Sequence, residues 1–210
     1  MHAMTDEARF WDKTARKYAQ SAIRDPAAYE ATLDRVRSYL RSDQNVLEIG
    51  CGTASTALLL APHVAHITAS DVSPEMIEIG REKIWDQSVR NVTPVAGQIG
   101  APGLDGRYDV ILAFNLLHLL TDLDTTLAQV HAQLHPGGLF ISKSPCLGDK
   151  KRWLKPVITL MQWLGKAPYV TFFSRATLRA QIEAAGFEII ETADLPPTMP
   201  SHFIVARRPA

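Results

Sequence analysis

Only two cysteines, Cys51 and Cys146, occur in the 210 residues. No disulfide framework is therefore expected, and the composition suits a reducing cytoplasm. Charge of one sign is missing as well. Lys and Arg number 22, Asp and Glu number 22, and the formal net charge is +0. A nucleic-acid-binding domain usually carries a basic excess, so nucleic acid is not expected as a partner. No window approaches the roughly 18 uncharged apolar residues of a membrane span. The opening MHAMTDEARFWDK lacks the apolar run of a signal peptide. Histidines, cysteines and carboxylates show no metal-ligand spacing, so no metal is expected. Hydrophobic residues make up 46% and charged residues 21%, as in ordinary globular chains. The length fits one α/β domain with a proper core.

Two helices are predicted first. One runs from about Thr5 to Ser21, with Phe10, Trp11, Ala15 and Tyr18 available for one face. The second follows Asp25 as cap and Pro26 in its first turn, and repeats Tyr29, Leu33, Val36 and Leu40 at helical spacing. From Gln44 strands and helices alternate. The strands are NVLEIG, HITASD, VTPVAG, RYDVILAFN and LFISKSP. A helix begins at about Ser55, another at Ser73–Pro74, and a third runs through Leu123, Leu127, Val130 and Leu134 to His135–Pro136–Gly137. Strands separated by helices imply parallel pairing with helices on both faces. Ligands then bind outside the carboxyl ends of the strands, at the loops starting from Gly50, Asp71, Gly97 and Phe114. A helix capped by Ser174 and closed by Gly186 leads into two final strands joined by TADLPPTMP, an antiparallel return.

The first loop, NVLEIGCGTAST, follows a strand as phosphate-binding loops do. A dinucleotide loop wants G-x-G-x-x-G, with the pyrophosphate on a helix N-terminus. Gly50 and Gly52 fit, but Ser55 stands in the third position. Glu48 adds a carboxylate at the loop mouth. At about 4 Å and an effective dielectric of about 20, two unit charges interact by roughly 4 kcal/mol. That sign is wrong for a pyrophosphate and right for a cation. S-adenosylmethionine carries an ammonium and a sulfonium and no phosphate. Glu48 is expected to attract the ammonium, directly or through water, while the glycines let the backbone approach closely. Asp71 ends the second strand, where a carboxylate can accept from both ribose hydroxyls. Asp71 alone is shared with NAD binding; together with Glu48 it discriminates.

These segments resemble the class I S-adenosylmethionine-dependent methyltransferases. VLEIGCGTAST is similar to their first motif and ASDVSPEMI to the acidic ribose turn. YDVILAFNLLHLL and LHPGGLFISKSP resemble the fourth- and fifth-strand segments, and LRAQIEAAGFEIIE with FIVARR the C-terminal helix and strand pair. The resemblance spans about Ala28 to Arg207. Within the class, FWDKTARKYAQS favours the small-molecule branch that includes ubiquinone and menaquinone methyltransferases. It implies a Rossmann-like, doubly wound α/β fold: seven strands, mostly parallel with one antiparallel, N-terminal helices, and a helical insert after strand five. One domain is expected, with a helical cap over 1–42, a cofactor-binding core over 43–145, a substrate or lid insert over 146–173, and a helix and strand pair over 174–210.

The same resemblance implies that Gly50, Cys51 and Gly52 line the methionine moiety, that Asp71 holds the ribose, and that Val72 and Met76 pack on the adenine. The family often has an acidic residue after strand three; here the region reads AGQIG, so Gln98 offers only an amide carbonyl, with Ile99 beside it. Tyr18 is expected to close over the cofactor, and Phe114 and Asn115 to contact it after strand four. Methyl transfer is an in-line displacement in which positioning does most of the work, up to about 7–11 kcal/mol in ideal cases. A phenol or quinol acceptor would also benefit from a base. His118, after strand four, is the candidate; the plainer reading is a residue that shapes the pocket. Cys51 reads as a small turn filler rather than a nucleophile, and His131 and His135 as surface residues.

Residues 150–173 read as the specificity insert. Trp153, Leu154, Ile158, Leu160, Met161, Trp163 and Leu164 form an apolar face edged by Lys150, Lys151, Arg152 and Lys166. This is either a lid over a lipophilic or aromatic acceptor or a helix packed on the sheet or a second subunit, and the basic edge leaves room for peripheral membrane contact. The leading expectation is a methyltransferase acting on a small apolar or aromatic molecule, with O, N, C or S as the acceptor atom. A catalytically silent cofactor-binding partner stands as the alternative, and a nucleotide-dependent oxidoreductase ranks below both.

Overall fold

The computed structural model describes residues 6–150, 152–196 and 201–210. The helix start expected at Thr5, the charge of Lys151 and the 197–200 part of the last link lie outside the described residues. Seven strands form one sheet, ordered β3-β2-β1-β4-β5-β7-β6. They are β1 (Asn45–Ile49), β2 (His66–Asp71), β3 (Val92–Ala96), β4 (Tyr108–Phe114), β5 (Leu134–Pro145), β6 (Glu188–Asp194) and β7 (Ser201–Arg207). The chain divides into two compact units, 1–112 and 113–210.

In the first unit, β1 pairs parallel with β2, and β2 with β3. Val46 to Ile49 are all buried, as expected for a strand covered on both faces. The helices are α1 (Asp6–Ala19), α2 (Pro26–Arg37), α3 (Ser55–Leu60) and α4 (Pro74–Asp86). Two caps follow the expectation. Asp25 accepts from the Ala28 amide, and Ser73 from the Met76 amide. Helix α2 stops at Arg37, short of Leu40, with Ser38 as its C-cap. Trp11, Ala15 and Ala19 of α1 pack on Met76 and Ile79 of α4.

In the second unit, β7 runs antiparallel to both β5 and β6 and lies between them. It is the antiparallel strand anticipated from the C-terminal return. The edge strand β6 alternates in burial and carries a register shift between Ile189 and Glu191. Helix α5 (Leu123–Gln133) ends before the predicted Leu134. Asp122 caps its start by accepting from the Thr125 amide. Leu134 belongs to β5 and not to the helix: Nη1 of Arg208 donates to the carbonyls of His131 and Leu134, at 2.9 and 2.6 Å. These bonds satisfy end carbonyls that another helical turn would have taken up. His131 is half-buried, with its ring edge-on to Phe187.

The insert comprises α6 (Leu147–Lys150), a 3₁₀ turn (Arg152–Leu154) and α7 (Lys155–Trp163). Helix α7 contains no buried residue, which rules out the reading of a helix buried on the sheet. Helix α8 (Arg175–Ala184) starts at the Ser174 cap and buries Leu178 and Ile182. No helix among the described residues is long and apolar enough to cross a membrane.

Gly148 secures the insert. Its amide donates to the Phe173 carbonyl at 3.0 Å, and a Cβ there would lie 2.7 Å from the Phe173 carbonyl carbon. Because the obstacle is backbone, Gly148→Ala is expected to destabilise the protein by about 1–3 kcal/mol. Urea unfolding should show a lower midpoint; an unchanged midpoint would mean that this contact yields freely.

Candidate functional site

The end of β1 carries the chain into a tight turn. Gly50 and Gly52 have φ of +67° and +55°, values that side chains rarely tolerate. Ala54 adopts +57° as well and leads into α3 without a side-chain cap. Two bonds fasten the turn to β2. The Cys51 amide donates to the Ser70 carbonyl and the Gly52 amide to Asp71 Oδ2, both at 2.9 Å. Asp71 Oδ1 accepts from the Ser73 amide at 2.9 Å. The Gly97 amide donates to the Asp71 carbonyl at 2.8 Å, which brings the loop after β3 to the same rim.

Glu48 is 2% exposed. One part of its carboxylate accepts from the Ala57 amide in the first turn of α3, supplying the cap that Ala54 lacks. Its Oε2 is buried without a hydrogen-bond partner. Burial, and secondarily Asp71, push the carboxyl up to about 8, while the Ala57 bond acts the other way. An isolated buried carboxylate is costly unless a cation or donor meets it. Burial likewise raises Asp71, against the amides of Ser73 and Gly52. Cys51 is buried, and its thiol is held well above its ordinary value, first by burial and then by Glu48 and Asp71. It stays a protonated thiol, consistent with a turn filler and not a nucleophile.

Tyr18 lies over this turn. A Cβ at Gly52 would sit 3.6 Å from its Cε1. Burial raises its phenol, and Asp71, Glu48 and Cys51 add to the effect. The ring stacks edge-on with Trp11 at 6.4 Å. The first unit thus gathers Tyr18, Glu48, Gly50, Cys51, Gly52 and Asp71. Val72 is half-buried beside Asp71. Met76 is buried against Ala15 of α1. Gln98 is exposed and Ile99 buried.

Sequence reading missed two residues of this unit. Asp12 of α1 accepts from Ser73 Oγ at 2.5 Å and from the Glu75 amide at 3.1 Å, tying the first helix to the start of α4. Lys83 of α4 donates to Thr53 Oγ1 at 2.7 Å and Ser55 Oγ at 3.0 Å, bracing the glycine turn. Both reach across more than two dozen residues, and no local spacing announces them.

Phe114, Asn115 and His118 belong to the second unit. Asn115 has φ +54°, and its amide donates to the Lys143 carbonyl at 2.8 Å. His118 sits in a 3₁₀ turn (Leu117–Leu119). Its carbonyl accepts from the Thr171 amide at 2.7 Å. Its Nδ1 is buried and unpartnered, and burial lowers the imidazole to about 4. A second polar cluster was not foreseen. Arg175 Nε bonds Asp194 Oδ1 at 2.9 Å, its Nη1 bonds Asp149 Oδ2 at 3.0 Å, and His202 Nδ1 lies 3.1 Å from Asp194 Oδ1. Register brings these together: Asp194 is opposite His202 across the last hairpin. Among the described residues no group of three or more His, Cys, Asp or Glu side chains could hold a metal.

The chain belongs to the methyltransferase domain family, whose pattern matches residues 16–192. Among proteins of known activity, it is similar to the malonyl-[acyl-carrier protein] O-methyltransferase of Priestia megaterium. Identity is 29% over 128 residues, covering 60% of this chain and 45% of that one. It is also similar to the demethylmenaquinone methyltransferase of Listeria monocytogenes, 31% identical over 98 residues, covering 45% and 41%. The chain spans less than half the length of these curated relatives. In fold it resembles the N-methyltransferase NodS of Bradyrhizobium japonicum, solved with S-adenosyl-L-homocysteine. The TM-score is 0.70 at 17% identity, covering 95% of this chain and 99% of that one.

The raised Glu48 carboxyl has a stability consequence. Its folded value of about 8 lies above that of an unfolded glutamate, about 4.3. Its contribution is therefore fully present below about pH 4.3 and is lost as pH rises through about 8. Glu48→Gln keeps an acceptor for the Ala57 amide and removes the titration. Without ligand, the variant should gain stability relative to the wild type between pH 5 and 8, read from urea midpoints. A constant difference across that range would contradict the assignment.

Proposed function

We propose that this chain is an S-adenosylmethionine-dependent methyltransferase acting on a small apolar or aromatic acceptor. One observation carries the reading: a buried carboxylate, Glu48, with an unpartnered oxygen beside a glycine turn and next to Asp71. A pyrophosphate would keep Glu48 protonated and meet Asp71, gaining nothing from either, whereas an ammonium favours the ionised carboxylate and supplies the missing partner. S-adenosylmethionine provides that ammonium and a methyl carbon already activated by its sulfonium. Family membership over residues 16–192 supports the same chemistry. The relatives that act on demethylmenaquinone and on a carrier-bound malonyl group make a small acceptor the natural class.

In this reading Glu48 draws the ammonium, directly or through water. Gly50, Cys51 and Gly52 line the methionine part. Asp71 still has lone pairs for the ribose hydroxyls after accepting two backbone amides. Val72, Met76, Gln98 and Ile99 serve the adenine and Tyr18 covers the turn, while Phe114 and Asn115 are assigned to the cofactor by the family resemblance alone. When bound, the cofactor would supply an activated methyl for in-line displacement by an acceptor lone pair, and the residues above would hold it in place. A hydroxyl acceptor would also benefit from a base, and His118 is the candidate, with its Nδ1 buried and unpartnered. This imidazole is neutral through the physiological range, so it is ready to accept a proton, although its low basicity limits the gain.

Calorimetry tests the cofactor. S-adenosylmethionine and S-adenosylhomocysteine should bind and NAD should not. Glu48→Gln should weaken binding by roughly 10- to 100-fold, the scale of a lost charge-assisted hydrogen bond. Equal affinity for the variant would refute the charge argument. Turnover tests His118: His118→Ala should cost about 10²-fold or more with a hydroxyl acceptor. The wild-type rate should show no histidine limb between pH 5.5 and 8 and fall only towards pH 4. A near-normal rate for the variant reduces His118 to a pocket-lining role. Tight cofactor binding without product from any acceptor favours the silent-partner alternative.

A further inference from the structure

Helix α7 is turned inside out relative to an ordinary surface helix. Its half-buried positions are Ile158 and Gln162, and the Gln162 amide nitrogen is spent on the Pro168 carbonyl at 2.9 Å. Val157, Leu160 and Leu164, spaced as one helical stripe, face solvent, and Trp153 precedes them on the same spacing. Trp153, on the stripe, is 71% exposed, and Trp163, beside its far end, is 82% exposed. Lys155, Pro156, Thr159, Leu160 and Trp163 form an adjoining open face of the same helix, which meets the stripe at Leu160.

The charged residues of this segment have one sign. From 150 to 173 the chain holds four lysines, one arginine and no acidic residue. In a chain of zero net charge, that local excess needs a reason. Lys155 opens α7, where a positive charge opposes the helix dipole, and the first turn has no acid to offset it. Helix stability alone would select the opposite charge. Lys166 stands exposed past the other end.

We infer that α7 is a peripheral docking surface for an anionic lipid membrane. Tryptophans suit the boundary between headgroups and chains, because the ring is apolar and the indole N–H is polar. The aliphatic stripe between them enters the acyl boundary, and the lysines meet anionic headgroups. A second copy of the chain fits less well. Nine residues make a helix only about 14 Å long, too small for the roughly 800 Å² per partner of a stable interface. Two like-charged copies would also bring their lysines together. The inference does not depend on the proposed chemistry.

Flotation of the full chain with vesicles tests it. The protein should float with phosphatidylcholine vesicles containing about one-third phosphatidylglycerol and stay behind with phosphatidylcholine alone. Binding should fall as salt rises. Lys155→Gln/Lys166→Gln should weaken partition by about 25-fold, from about 1 kcal/mol per lysine. Trp153→Ala/Trp163→Ala should weaken it at least tenfold without changing the melting temperature, since neither ring is buried. Wild type that fails to float, or equal partition of either variant, would overturn the proposal. So would a dimer by light scattering that Trp163→Ala dissolves, because a second copy would then cover the face.

Discussion

A buried carboxylate with half its hydrogen-bonding capacity unused governs the first unit. Glu48 is held at the end of β1, with burial on every side. One oxygen answers a backbone amide at the head of α3, and the other answers nothing. The turn that follows depends on this. Positive φ at Gly50, Gly52 and Ala54 sharpens the chain enough to aim α3 back at Glu48. The cost of the second oxygen is tolerable in the free protein because the carboxyl holds its proton over much of the neutral range. A cation arriving at the turn would favour the ionised form, so binding and ionisation reinforce each other. The question raised by a negative charge at a phosphate-like loop thus has two answers: it caps a helix, and it leaves room for a cation.

Around that carboxylate the polar groups are arranged to hold shape. Asp71 uses both oxygens to clamp the glycine turn and the approach to α4. Lys83 braces the far side of the turn, and Asp12 anchors α1 to the same helix start. Sites built this way resist collapse when empty, which lowers the ordering cost of binding. The second unit differs. Its sheet face carries Ser142, Ser144 and His202, each with a buried unpartnered atom, beside the ion-paired Arg175, Asp149 and Asp194. Buried polar groups of this kind are most often bridged by water.

Much of the architecture was legible because its signals are local. Asp25, Ser73 and Ser174 sit three residues before the amides they cap, and each was readable as a start signal. The alternation of strands and helices implied the parallel core, and the late hairpin implied the antiparallel strand. The misreadings fall where a distant partner intervenes. Helical spacing continued through Leu134, but Arg208, 74 residues away, occupies the carbonyls at that end. The insert's apolar face could be read as a lid, a packed helix or a membrane contact; only packing shows that it points outwards. The Asp194–His202 pairing is set by register on a hairpin, which spacing does not encode.

The sequence by itself determined the order of elements, the helix starts, the glycine turn and the sign of the charge beside it. Each of these follows from chemistry within a few residues along the chain. Only the tertiary structure decided which Glu48 oxygen is spent and which is left, that Tyr18 and Lys83 meet the same turn, and that α7 turns its apolar stripe to solvent. Those facts depend on side chains brought together by packing from dozens of residues away, and burial, which sets their energies, does not exist until the chain has folded.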